Sequence, residues 1–194
     1  MLGYVSNPSS RYVETLKLLD ETLSLGGLRS NTSINYYRSA TQVTRSDFRK
    51  AQVSTFYDNS SSKFPDISVP IQDFITPPGE KDTLLAIVTD LDQAEGDVTI
   101  LLQKIQQTYL NKDQKGYAVG IWGIKSEFVG DVFIQKQQNI ERFSFPNQES
   151  LDNNRPFYVI FIGLYQDINR YFQDLVFLLL IVRVLGYKSS PFKV

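Results

Sequence analysis

Two apolar runs flank one amphipathic helix between residues 83 and 124, and this stretch limits the fold more than any other. Thr83-Leu84-Leu85-Ala86-Ile87-Val88-Thr89 is a near-continuous apolar run, the pattern of a strand covered on both faces. It stops at Asp90. Asp97 can cap the helix that follows, whose apolar positions Val98, Leu101, Leu102, Ile105 and Tyr109 form one stripe. A second covered strand is read in Tyr117-Ala118-Val119-Gly120-Ile121-Trp122-Gly123-Ile124. Strand, helix and strand at this spacing predict a βαβ unit, whose crossover implies parallel strands.

The flanking sequence extends this pattern. Pro156 to Ile162 reads as a third covered strand, leading through Gly163 into a helix from about Gln166 with Ile168, Tyr171, Phe172 and Leu175 on one face. Near the start, Tyr12, Leu16, Leu19 and Leu23 predict a helix from Ser9 to Leu25, capped by Ser9 or Ser10 and ended by Gly26-Gly27. Ile34 to Arg38 suits an edge strand, and residues 39–62 a polar connection with a helical turn near Asp47 to Gln52. Pro70 can open a short helix over Val69 to Ile75, which Thr76-Pro77-Pro78-Gly79 stops. Asp131 to Gln135 and Glu141 to Phe145 read as an inserted β-hairpin. The expectation is an α/β fold: a three-layer sandwich with a mostly parallel sheet plus that hairpin. The domain is expected over residues 1–174, followed by an apolar C-terminal helix or tail over 175–194.

Composition removes whole classes of chemistry. The 194 residues include no histidine and no cysteine, which excludes Ser-His-Asp and Cys-His catalysis, Cys/His zinc sites and disulfides. With 20 basic and 21 acidic residues the net charge is −1, so nucleic acid is not an expected partner. The opening Met1 to Pro8 has no basic start and no long apolar stretch, so no signal peptide is read there. The longest apolar run, Leu175 to Val182, ends at Arg183, well short of the roughly 20 residues a transmembrane helix needs. Lack of cysteine agrees best with a cytoplasmic location.

In open α/β sheets ligands sit at the carboxyl ends of the strands. The residues just past each strand are Asp90 and Asp92, Lys125-Ser126-Glu127, and Gly163-Leu164-Tyr165. Asp90 is placed to hold a hard cation such as Mg²⁺, with Asp92, Ser61 and Ser62 as further oxygen donors. An alternative is that Asp90 and Asp97 shape the loop and cap the next helix. Lys125-Ser126-Glu127 could offer a cation and a carboxylate to a ligand, or form a solvated turn. The glycines form no dinucleotide fingerprint, and the aromatic residues are not interleaved with basic ones as in a stacking platform.

The order of these motifs resembles a von Willebrand factor A-type (vWA-like) domain. Leu84 to Leu91, with Thr89-Asp90, resembles that family's strand ending in T-D-G, whose aspartate is a metal ligand. Tyr117 to Ile124, ending Gly123-Ile124, resembles the following strand, and Met1-Leu2-Gly3-Tyr4 before the first helix resembles the segment after the family's D-x-S-x-S motif. The resemblance implies a Rossmann-like sheet and a Mg²⁺-dependent protein-binding site. The chain departs from it: the first strand and D-x-S-x-S are absent, the middle threonine has no counterpart, and Leu91 replaces the glycine. Only Asp90 carries over. These departures suggest a fragment begun at an internal methionine.

The function expected on this basis is a protein-interaction module with an incomplete metal site and weak Mg²⁺ binding. The alternatives are a Mg²⁺-dependent phosphoesterase-like hydrolase using Asp90 and Asp92, with Glu127 beside them, and a non-catalytic structural module of a larger protein. No catalytic residue is assigned, and the protein partner is unnamed.

Overall fold

The structure is a computed structural model, which describes residues 1–30, 33–38, 41–57, 70–75, 83–91, 98–111, 116–136, 139–146 and 154–184. Helix α1 (Arg11–Ser30) is followed by the short antiparallel strands β1 (Tyr36–Arg38) and β2 (Thr41–Val43), then by α2 (Arg45–Arg49). Next come β3 (Leu85–Thr89), α3 (Val98–Tyr109) and β4 (Tyr117–Ser126). The hairpin β5 (Gly130–Lys136) and β6 (Asn139–Phe145) precedes β7 (Arg155–Leu164) and α4 (Tyr165–Val184). Short 3-10 turns occupy Leu2–Val5, Lys50–Gln52, Ser54–Tyr57 and Ile71–Phe74.

The mostly parallel, Rossmann-like sheet expected from the sequence is overturned. The central sheet has the order β3-β7-β4, and β7 runs antiparallel to both neighbours. Its register runs from Leu85↔Ile162 to Thr89↔Tyr158 on one side and from Tyr117↔Leu164 to Ser126↔Arg155 on the other. β3 and β4 therefore point the same way, as a helical crossover requires, but they do not pair. β7 fills the gap between them, a split β-α-β arrangement. A vWA-like topology, with its parallel strands side by side, is thereby excluded. The misreading has a simple cause: a continuous apolar run reports cover on both faces, and an antiparallel sheet sandwiched between helices produces the same run as a parallel one.

β7 has helices on both faces. Phe157, Val159 and Phe161 point toward α1 and α4, where they meet Tyr12, Val13, Leu16, Tyr171 and Leu175. Ile160 and Ile162 point the other way, toward Leu101, Ile105 and Tyr109 of α3 and toward Ile71 and Ile75. Each of these side chains contributes about 1.5–3 kcal/mol by leaving water. On α3 the buried stripe is narrower than expected: Leu101, Ile105 and Tyr109 are buried, whereas Val98 is 42% and Leu102 54% exposed.

A second tie holds the N-terminal third. Asp20 on α1 is only 2% exposed and accepts from Arg45 Nε and Nη2 at 2.8 and 3.0 Å, from Arg49 Nε at 2.9 Å and from the Tyr36 hydroxyl at 2.8 Å. One carboxylate thereby joins α1, β1 and α2. The hairpin pairs from Gly130↔Phe145 to Lys136↔Asn139, with Val132 buried against the core. α4 continues without interruption past residue 174, and residues 185–194 of the expected tail lie outside the described set. No helix of the described residues is long and apolar enough to cross a membrane.

Candidate functional site

At one end of the sheet β3 and β4 finish and β7 begins, so Asp90, Ser126-Glu127 and Arg155 are brought together. The sequence-based expectation was that the third strand would contribute Gly163-Leu164-Tyr165 to this end. Because β7 is antiparallel, it contributes Arg155 instead and sends Gly163-Leu164-Tyr165 to the opposite end. No local signal marks Arg155. It is an ordinary cation at the start of an apolar strand, and only strand direction gives it a place.

Arg155 Nη1 lies 3.5 Å from Asp90 Oδ2, and both side chains are largely buried. The Met1 nitrogen is 3.5 Å from the same oxygen. The Arg155 guanidinium also sits over the Phe128 ring, 4.9 Å from its centroid, a favourable place for a delocalised cation. Thr89 Oγ1 accepts the Leu91 N–H at 3.0 Å, and Leu91 adopts φ +57°, the left-handed conformation that glycine takes without strain. The turn after Asp90 is thus held by Thr89 from within the chain.

Around this pair lies an aromatic wall. Tyr4 stacks on Tyr12 at 5.2 Å and meets Phe128 and Phe157 edge-on at 4.8 and 5.7 Å. The Tyr4 hydroxyl donates to Pro156 O at 2.7 Å. The Tyr57 hydroxyl donates its one proton to Ala51 O at 2.8 Å, so the 2.7 Å contact between the Tyr57 and Tyr12 oxygens has Tyr12 as donor. Burial first, then the Tyr57 hydroxyl and the Asp90 charge, push the Tyr12 phenol well above its ordinary pKa. Burial also raises Tyr57, against the opposing pull of the Tyr12 hydrogen bond and the Arg38 charge. Both phenols are neutral hydrogen-bonding groups at any ordinary pH.

Ser126 and Glu127 have a different task from the one expected of a ligand site. The Ser126 hydroxyl accepts the Tyr12 N–H and Glu127 Oε2 accepts the Arg11 N–H, each at 2.9 Å. Ser10, the cap expected from the sequence, takes the Val13 N–H at 3.2 Å. The first three free donors of α1 are thereby satisfied by three side chains, one on the last residue of β4 and one on the residue just after it. Lys125 supplies its carbonyl to Arg11 Nη1 at 3.2 Å.

The described residues do not fit a Mg²⁺ ion. A hard cation needs several converging oxygens with spare negative charge. Here Asp90 faces a guanidinium, the Thr89 hydroxyl is engaged by the backbone, and the Ser126 and Glu127 oxygens hold a helix end. Among the described residues no group of three or more Asp or Glu side chains converges. Ser61, Ser62 and Asp92, the other expected metal ligands, lie outside the described residues, as does Asp97. No protein-family model matches this chain, and neither a curated protein nor a solved structure matches it.

Proposed function

We propose that this chain is a protein-interaction module and not a metal-dependent phosphoesterase. The observation that carries this reading is the pairing of Asp90 with Arg155 at 3.5 Å. A carboxylate whose charge is answered by a guanidinium holds two strand ends together and has little attraction left for a divalent ion. The hairpin supplies a suitable surface. Phe133 and Phe143 are exposed on its two faces, and aromatic side chains of this kind anchor protein interfaces. Arg142 and Ser144 both donate to Asp131, at 2.7 and 2.6 Å, and so brace the two strands against each other.

Calorimetric titration with Mg²⁺ and a phosphoester turnover assay test this reading, with Asp90→Asn as the control. The expected result is no micromolar binding and no turnover. Micromolar binding, or turnover abolished in Asp90→Asn, would sink it. On the binding side, a partner captured by the native chain is expected to be lost from the Phe133→Ser, Phe143→Ser double variant.

A further inference from the structure

The free edge of β4 carries an inference independent of the reading above. β4 is ten residues long and pairs only with β7 among the described strands, so one side of its backbone has no strand partner among the described residues. Soluble proteins usually blunt such edges with proline, bulges or inward charges. β4 has none of these. Its register with β7 is unbroken, it contains no proline, and its one charged residue, Lys125, sits next to its end. At its centre Ile121 is 63% exposed.

Two glycines in this strand have no local explanation among the described residues. A Cβ built at Gly120 would meet its nearest neighbours at 3.6 Å and one at Gly123 at 3.4 Å, ordinary contact distances, and neither residue has a positive φ. Glycine inside a strand weakens it, so a residue with no local need to be glycine asks for another cause. We infer that β4 pairs antiparallel with β4 of a second copy of this chain, about a two-fold axis through Ile121. In that register Trp122 lies against the partner's Gly120 and Val119 against the partner's Gly123, a large residue facing a glycine in every case. Aromatic cover of an edge glycine is a recognised stabiliser of strand pairs.

Charge agrees with the same register. Lys125 falls opposite the partner's Tyr117, and the two lysines stand at opposite ends of the junction, where they do not repel. The net charge of −1 adds little repulsion between copies. Odd-numbered residues stay on the α3 face and even-numbered ones on the α1 and α4 face, so the two three-stranded sheets join into one of six. This is an isologous contact, closed by its own symmetry.

Light scattering on the purified chain tests the inference, with an expected mass twice 22.2 kDa. A monomer at about 100 μM would overturn it, since that affinity is weaker than a specific dimer needs. Ile121→Lys and Ile121→Glu each place like charges across the axis and are expected to be monomeric alone. Mixing the two is expected to restore a dimer with one copy of each, because opposite charges then face each other. A dimer that survives either substitution, or a mixture that stays monomeric, refutes the arrangement. The chain has no cysteine, so Ile121→Cys introduces a single thiol. On mild oxidation it is expected to form a disulfide-linked dimer readily, whereas Lys125→Cys, whose counterpart sits at the far end, is not. Equal cross-linking at both positions, or none at residue 121, equally counts against it.

Discussion

Glu127 and Arg11 are 116 positions apart in the chain, yet Glu127 Oε2 accepts the Arg11 backbone N–H at 2.9 Å. Ser126 does the same for Tyr12. The end of β4 is therefore the N-terminal cap of α1, and each element fixes where the other stops. Ser126→Ala leaves a buried N–H without its acceptor and is expected to cost about 1–3 kcal/mol. Glu127→Gln keeps an acceptor and removes only the charge, so about 0.3–1 kcal/mol is expected, shrinking in high salt. Denaturant unfolding followed by Trp122 fluorescence checks both, and equal losses in the two variants would contradict this division of labour.

Asp20 gives a pH signature. Burial pushes its carboxyl upward, but hydrogen bonds from Arg45, Tyr36 and Arg49 outweigh that and hold it below its ordinary pKa. A lowered folded-state value stabilises above the unfolded value of about 3.9, and the stabilisation is lost as pH falls through the folded one. Asp20→Asn is expected to cost about 1.5–3 kcal/mol at neutral pH, as hydrogen bonds to charged groups do. The difference from the native chain should narrow steadily in acid. A difference independent of pH would show that the Asp20 charge is not what holds α2.

At the alkaline end the sign reverses. Burial first raises both Tyr12 and Tyr57, so they stabilise the fold fully below the unfolded tyrosine value of about 10 and progressively less above it. Stability measured by circular dichroism is expected to fall with pH above that value. The fall should be shallower in the Tyr12→Phe, Tyr57→Phe double variant, which has two fewer phenols to ionise on unfolding. An unchanged slope would show that these two phenols do not govern alkaline unfolding.

Gly3 sits under the aromatic wall. A Cβ there would lie 2.7 Å from the Val129 carbonyl oxygen and within the Phe128 ring contact, while Gly3 O already accepts the Val129 N–H at 3.0 Å. Gly3→Ala is expected to destabilise by about 1–3 kcal/mol through overpacking. A neutral Gly3→Ala would mean that the N-terminal turn is not pinned against Phe128.

Much of the element order is legible without coordinates. The 4-3-4 spacing of Tyr12, Leu16, Leu19 and Leu23 marks α1, Ser10 marks its cap, and Pro70 stands immediately before the 3-10 turn Ile71–Phe74. The runs Asp131 to Gln135 and Glu141 to Phe145 mark the hairpin. Periodicity reads these elements because helices and turns are made by contacts between residues a few positions apart. Asp90 is likewise placed at a strand end by the apolar run before it. Its partner is not legible, because Arg155 reaches it only through the reversed direction of β7.

What the sequence determined by itself is where the chain turns, which stretches are covered on both faces, and which chemistries are closed to a protein without histidine or cysteine. Tertiary structure alone decided the direction of β7, the pairing of Asp90 with Arg155, and the use of Ser126 and Glu127 as caps. The physical reason is one of range. Burial patterns depend on each residue's own transfer into the core and leave strand direction undefined. Direction is decided by backbone hydrogen bonds and side-chain pairs between residues 29 to 77 positions apart, whose summed advantage no local window contains.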